Sequence, residues 1–198
     1  MIKHEKLKNF LSTVPALLGW AALMLVIWGF VFLRLDDVSP ERKLIIYTDC
    51  DIVNARELMI NLEDECGISS DREYVFGEND IRKIKLYTTS FFSALSDPLG
   101  DGDLFIISET VLKDLEDEFV SLPEELLTSS ERFGNKGILF FDPVSDDLRG
   151  TEYFLYDASE RYYLCFNAKS QHAGSRDSAA FRLAEVLLNM NWNEENGQ

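Results

Sequence analysis

The residues of this chain with chemistry to offer are few: two histidines, three cysteines, and carboxylates gathered in short runs. His4 sits in the basic start IKHEKLK, so an imidazole-based nucleophilic centre has only His172 to build on. Ser170 and Ser175 flank it in AKSQHAGSRD, but neither lies in a G-x-S-x-G turn that would present its hydroxyl for attack. His172 therefore reads as a surface residue of a polar loop. The stretch SDPLGDGD places Asp97, Asp101 and Asp103 close together, as oxygen ligands of a hard cation would be. Leu99, Phe105 and Leu112 fall where a calcium loop needs ligands, so turn and strand-entry duties are expected for these aspartates. No CxxC, HExxH, GxGxxG or Walker-type loop occurs, and neither a metal nor a cofactor is expected.

The cysteines read as unpaired. Cys50 ends the apolar strand KLIIYTDC and Cys66 ends the helical segment that follows. A helix of about fifteen residues running back along its strand holds them roughly 20 Å apart, too far for a disulfide. Cys165, inside YYLCFN, reads as a core thiol.

What remains is the places where strands end. In open α/β sheets, ligands settle beyond the carboxyl ends of the strands, where helix amino termini point N–H groups outward. Thr48, Asp49 and Asp51 follow the first strand, Thr88, Thr89 and Ser90 the second, and Ser108, Glu109 and Thr110 the third. Thr48, Asp49, Asp51, Thr89, Ser90, Ser108 and Glu109 are accordingly the candidate ligand-binding residues. Helix capping uses the same residue types and is the competing duty at each of them.

The elements that must position these residues follow from periodicity. Lys43 to Cys50 reads as a strand, and Asp51 to Cys66 as a helix with Ala55, Leu58, Met59 and Leu62 on one stripe and Gly67 as its stop. REYVFGEND reads as a short strand or hairpin arm, and IRKIKLYTTS as the second core strand. Leu104 to Ser108 is a fully apolar strand that passes into the capped helix SETVLKDLEDEF. GILFFDP is another short strand, and EYFLYDASERYYLCFNA reads as two strands joined in an antiparallel hairpin. A last helix, Ser178 to Asn189, sets Phe181, Ala184, Leu187 and Leu188 on its packing stripe. Alternating strands and helices predict a three-layer α/β domain with a mainly parallel sheet and a C-terminal antiparallel hairpin.

Ahead of this domain, Phe10 to Leu33 holds no charged residue. At about 1.5 Å per residue it would exceed the ~30 Å hydrocarbon layer, which predicts a transmembrane helix. Lys3, Lys6 and Lys8 on the leading flank keep the amino terminus cytosolic. The run ends in FVFLRLDD rather than small residues, so an uncleaved anchor is expected, with a cleaved secretory signal as the rival. The organisation is then residues 1–9 cytosolic flank, 10–33 transmembrane helix, 34–42 linker, 43–190 extracytoplasmic domain and 191–198 tail. Unpaired thiols in that location would suit a weakly oxidising environment.

Of the net charge of −16, the part after the apolar segment carries more than all, with 15 basic and 34 acidic residues from Asp36 onward. Such a surface repels phosphate backbones, so a nucleic-acid partner is excluded.

The order KLIIYTDC, helix, KIKLYTTSFFSAL, then DGDLFIISETVLKDL resembles the first lobe of extracellular solute-binding proteins of the type II periplasmic-binding fold. YYLCFNAKSQHAG followed by SAAFRLAEVLLN is similar to that lobe's return strand and closing helix, and to membrane-anchored proteins of Firmicutes. The roughly 150 residues available leave room for one lobe rather than the two that close over a ligand. The resemblance implies a non-catalytic, membrane-anchored module that binds a small solute or peptide. The alternative is a degenerate lobe of the cell envelope that docks on another membrane protein and holds no small molecule. No nucleophile and base pair can be named from spacing, and an enzyme is not expected.

Overall fold

The computed structural model describes residues 2–35, 38–68, 81–88, 99–100, 102–122, 132–145, 149–173 and 177–190. The predicted arm REYVFGEND, most of FFSALSDPLGDG and the tail lie outside the described residues. The chain divides into two compact units, Met1–Ser39 and Pro40–Gln198.

The first unit is built on one helix, α1 (Ile2–Leu35), which carries Pro15 inside it. Leu17, Trp20, Leu25 and Phe30 are each more than half exposed. Among the described residues no helix is long and apolar enough to cross a membrane.

The second unit contains, in chain order, β1 (Lys43–Thr48), β2 (Asp51–Ile52), α2 (Ala55–Glu65), β3 (Lys83–Thr88), β4 (Leu104–Ser108), α3 (Glu109–Leu115), β5 (Arg132–Phe133), β6 (Gly137–Phe141), β7 (Phe154–Leu155), β8 (Tyr162–Phe166) and α4 (Ala179–Asn189). Six strands form one sheet in the order β3-β1-β4-β8-β6-β5, and β2 pairs with β7 in a second, two-stranded sheet.

The sheet has two layers of helix over it. One core joins Leu44, Ile46, Ile84, Leu104, Ile106 and Leu164 of the sheet to Leu58 and Leu62 of α2 and to Phe181, Ala184 and Leu187 of α4. The other joins Tyr47, Phe105, Ile107, Tyr163 and Cys165 to Leu112 of α3. Strands β4 and β8 are buried at every position, as strands covered on both faces must be.

Three expectations need correction. Among the described residues the sheet is parallel only where β1 meets β3 and β4, and its other pairings are antiparallel. Residues 156–161 connect β7 to β8 without a helix, so β8 begins at the carboxyl edge of β4, with Tyr162 opposite Ser108, and runs back along it. A parallel return would need a crossover of a dozen or more residues.

The hairpin expected over EYFLYDASERYYLCFNA does not form either. Strand β7 pairs with β2, Ile52 opposite Phe154, while β8 inserts between β4 and β6. Aromatic packing draws β7 away: Phe154 sits edge-on to Phe140 with centroids 6.1 Å apart, and Tyr156 stacks on Phe141 at 4.0 Å. A β5–β6 pairing takes the antiparallel role instead, around Gly134 at φ 55°.

The helix expected from Asp51 starts at Ala55. Asn54 adopts a left-handed conformation at φ 55° and ψ 34°, which breaks the helical run and leaves Asp51 and Ile52 free to pair as β2. Its other end is as the sequence indicates, with Gly67 at φ 69°.

Candidate functional site

The carboxyl edge of the parallel strands is built from the turn after β1 and the start of α3. Ser108 ends β4 and caps α3: its Oγ accepts the Val111 N–H at 3.4 Å and donates to Asp49 Oδ2 at 2.7 Å. The backbone N–H of Ser108 donates to the same oxygen at 2.9 Å. One carboxylate thus ties the ends of two adjacent strands. Asp49 Oδ1 is buried without a hydrogen-bond partner, and burial raises the Asp49 pKa although both Ser108 bonds pull it down.

Around this tie lies an open depression of about 440 Å³ lined by Asp49, Cys50, Asp51, Ser108, Leu155, Tyr156, Asp157, Glu160 and Tyr162. Of the candidate residues, Asp49, Asp51 and Ser108 meet here. Thr48 does not reach it: the residue is fully buried, and its Oγ1 accepts the Cys50 N–H at 3.3 Å and lies 2.8 Å from the Cys50 sulfur. Glu109 is engaged outside it, in an i,i+4 ion pair of 2.6 Å with Lys113. Thr89 and Ser90 lie outside the described residues. Asp157 and Glu160, which the sequence analysis missed, come in with the turn between β7 and β8. Glu160 is held by the Thr110 hydroxyl at 2.7 Å. Among the described residues no three His, Cys, Asp or Glu side chains are placed to hold a metal ion.

At the opposite, amino edge the strands enclose a second cavity, of about 380 Å³, that no candidate residue lines. Two features of topology create it. The parallel register sets Ile45 beside Lys85 and Tyr47 beside Tyr87, all on one face of β1 and β3. Because β8 runs against β4 and ends opposite Leu104, the loop after it carries Lys169, Ser170, Gln171 and His172 to the same edge.

A network of short bonds holds this edge. Asp103 Oδ2 accepts the Ile45 N–H at 2.8 Å, and Asp103 Oδ1 accepts the Ser170 hydroxyl at 2.6 Å. Ser170 Oγ in turn accepts the His172 N–H at 2.9 Å. Asn167 Nδ2 donates to Leu99 O and, at 2.6 Å, to Gly102 O. Gly102 has no room for a side chain, since a Cβ would stand 2.6 Å from both the Phe105 and Tyr47 rings. Burial raises the Asp103 pKa, against the bonds from Ser170 and Ile45 and the nearby His172, which lower it.

His172 is 2% exposed, so the surface reading of this residue is corrected. The loop looks polar because its hydroxyl and backbone groups are used to pin it to Asp103. Serine, carboxylate and histidine do meet here, but not in nucleophilic order. A triad needs the imidazole between hydroxyl and carboxylate. Here the Ser170 hydroxyl donates directly to Asp103, while the His172 Nε2 stands 3.3 Å from Gln171 Nε2. Asp103 takes the strand-entry duty expected of it, and Asp97 and Asp101 lie outside the described residues.

The thiols are spectators. Cys50, Cys66 and Cys165 are free and buried. Burial pushes the Cys50 and Cys66 thiols up to about 12, and the Cys165 thiol upward as well.

Comparison with protein-family models, with curated proteins and with solved structures finds no match to this chain.

Proposed function

We propose that this chain is a membrane-anchored binding module without catalytic activity, displayed outside the cytosol and related to a single lobe of the type II solute-binding fold. The observation that carries the reading is the amino-edge cavity. Its volume of about 380 Å³ falls within the range of small-molecule sites, and its wall mixes apolar and polar groups from Pro40, Ile45, Tyr87, Ser170 and Gln171. The bonds that Asp103 accepts from Ile45 and Ser170 fix that wall before any solute arrives, which lowers the ordering cost of binding.

The elements on which the resemblance rests support the reading. Gly102 and Asp103 lead into buried β4 and the Ser108-capped α3, and β8 returns along β4 before the closing helix α4. The anchor in this reading is the uncharged run from Phe10 to Leu33. A catalytic role draws no support from the Asp103–Ser170–His172 group, whose hydroxyl proton is directed at the carboxylate.

The test is a thermal-shift screen of the full chain in detergent micelles against amino acids, peptides, sugars, organic acids and metal ions. A ligand that binds only the folded state raises the melting temperature in proportion to saturation. A saturable rise with one class supports the reading. No rise with any class, from a well-folded chain, supports instead an envelope domain that docks on another membrane protein.

A further inference from the structure

Resting on that reading, we infer that the amino-edge cavity takes a small organic anion, held by Lys43, Lys85 and Lys169. From Asp36 onward the chain has 34 acidic and 15 basic residues, and only six of the latter are lysines. Three of those six line this one cavity, and Asp103 is the carboxylate residue that lines it among the described residues. Among the described lining residues three ammonium groups face one carboxylate, a local excess of positive charge in a molecule whose overall charge is −16. A concave site of one sign focuses the field and raises the local concentration of the opposite ion.

Asp103 is engaged within the wall of the cavity. Both Asp103 oxygens are already occupied by the Ile45 N–H and the Ser170 hydroxyl. Lys169 is partly neutralised by Glu118 at 3.1 Å. The Lys85 side chain makes no ion pair or hydrogen bond among the described residues, and Lys85 lies on the cavity face of β3 directly beside Ile45. It is the cation with most to gain from a ligand. Lysines on an edge strand also guard against strand addition, and β3 is such an edge among the described residues, with Lys83 and Lys85 both on it. Lys83 does not line the cavity and so separates the two duties.

The shared chemistry is two or more anionic oxygens on a small carbon skeleton, carried by a polycarboxylate, a phosphate ester or a lipid headgroup. The experiment is calorimetric titration of the full chain in neutral detergent with succinate, citrate, glycerol 3-phosphate and inorganic phosphate. Arginine, glucose and a neutral dipeptide serve as non-anionic probes. Vesicles of phosphatidylglycerol in phosphatidylcholine distinguish a headgroup from a free solute.

The expected result is saturable binding of at least one anion, weakened about tenfold or more by Lys85→Met and left unchanged by Lys83→Met, with both variants folded by circular dichroism. Saturable binding of only a neutral or cationic probe would overturn the anion assignment while keeping the binding module. Anion binding indifferent to Lys85→Met and Lys43→Met would overturn the site. Binding of no probe, with no thermal shift from any class, would overturn the module and the anion together.

Discussion

Asp103 reaches across from the entry of β4 to hold the Ile45 backbone N–H of β1 at 2.8 Å, and in return the Asp103 N–H donates to the Ile45 carbonyl at 2.9 Å. The residue pair closes the amino edge of two parallel strands, and the other oxygen of the same carboxylate holds the loop after β8. Truncating it leaves a buried N–H and a hydroxyl without their acceptor. Asp103→Ala should therefore cost about 2–3 kcal/mol in denaturant unfolding and abolish solute binding at the cavity.

The same carboxylate sets a pH dependence. Its folded pKa is raised above the ordinary 3.8 by burial, so the folded state favours the protonated form. The stability it contributes is complete below the unfolded value and is lost as pH rises through the folded one. Melting temperatures of wild type and Asp103→Asn, followed upward from about pH 3.5, should show the difference, variant minus wild type, growing with pH. A constant difference would mean that the carboxyl is not perturbed.

At the other edge, Ser108→Ala removes the cap of α3 and the hydroxyl bond to Asp49 but keeps the backbone bond. The expected loss is about 1–2 kcal/mol of stability, with solute affinity unchanged. Equilibrium unfolding and calorimetry on one preparation check both halves.

Gly102→Ala should destabilise by about 1–3 kcal/mol, because its Cβ would meet the Phe105 and Tyr47 rings at 2.6 Å. Rings that stack with centroids 5.5 Å apart in a filled core have little freedom to withdraw. Thermal unfolding reads the loss, and an unchanged melting temperature would show that the rings move freely.

The thiols should be silent in the native state. With Cys50 and Cys66 pushed up to about 12 and all three cysteines buried, almost no thiolate exists at pH 8. A chromogenic disulfide reagent should titrate none of them in the native chain and all three after denaturation. Prompt reaction of a native thiol would show that the carboxyl-edge depression, which Cys50 lines, opens further than its burial indicates.

The elements that the sequence disclosed are those whose pattern is local. Leu104 to Ile107 is apolar throughout, Ser108 is a capping type, and Val111, Leu112 and Leu115 repeat at helical spacing, so β4 and α3 could be read directly. The same holds for α4. Pairing was not local: nothing in EYFLYDASERYYLCFNA announces that Phe154 is drawn to Phe140 while β8 crosses to β4. The amino-edge cavity is less local still, since Lys43, Lys85 and Lys169 are far apart in sequence and meet only through register and an antiparallel return. One signal was present. KLIIYT and KIKLYT both carry a lysine on the face that ends in a tyrosine, and a lysine inside a core strand marks a face that is not sealed. A rule for parallel sheets directs attention to the carboxyl edge, where Asp49, Asp51 and Ser108 were found together, and away from the edge where the cations gather.

Hydrogen exchange of the full chain, with and without a millimolar pool of succinate, citrate and glycerol 3-phosphate, decides whether solute binds at the amino edge. Binding there predicts slowed exchange in peptides covering residues 43–47, 102–105 and 167–173, with none across 108–111 and 156–162. Protection confined to the latter two stretches, or absent from the whole domain, would contradict it.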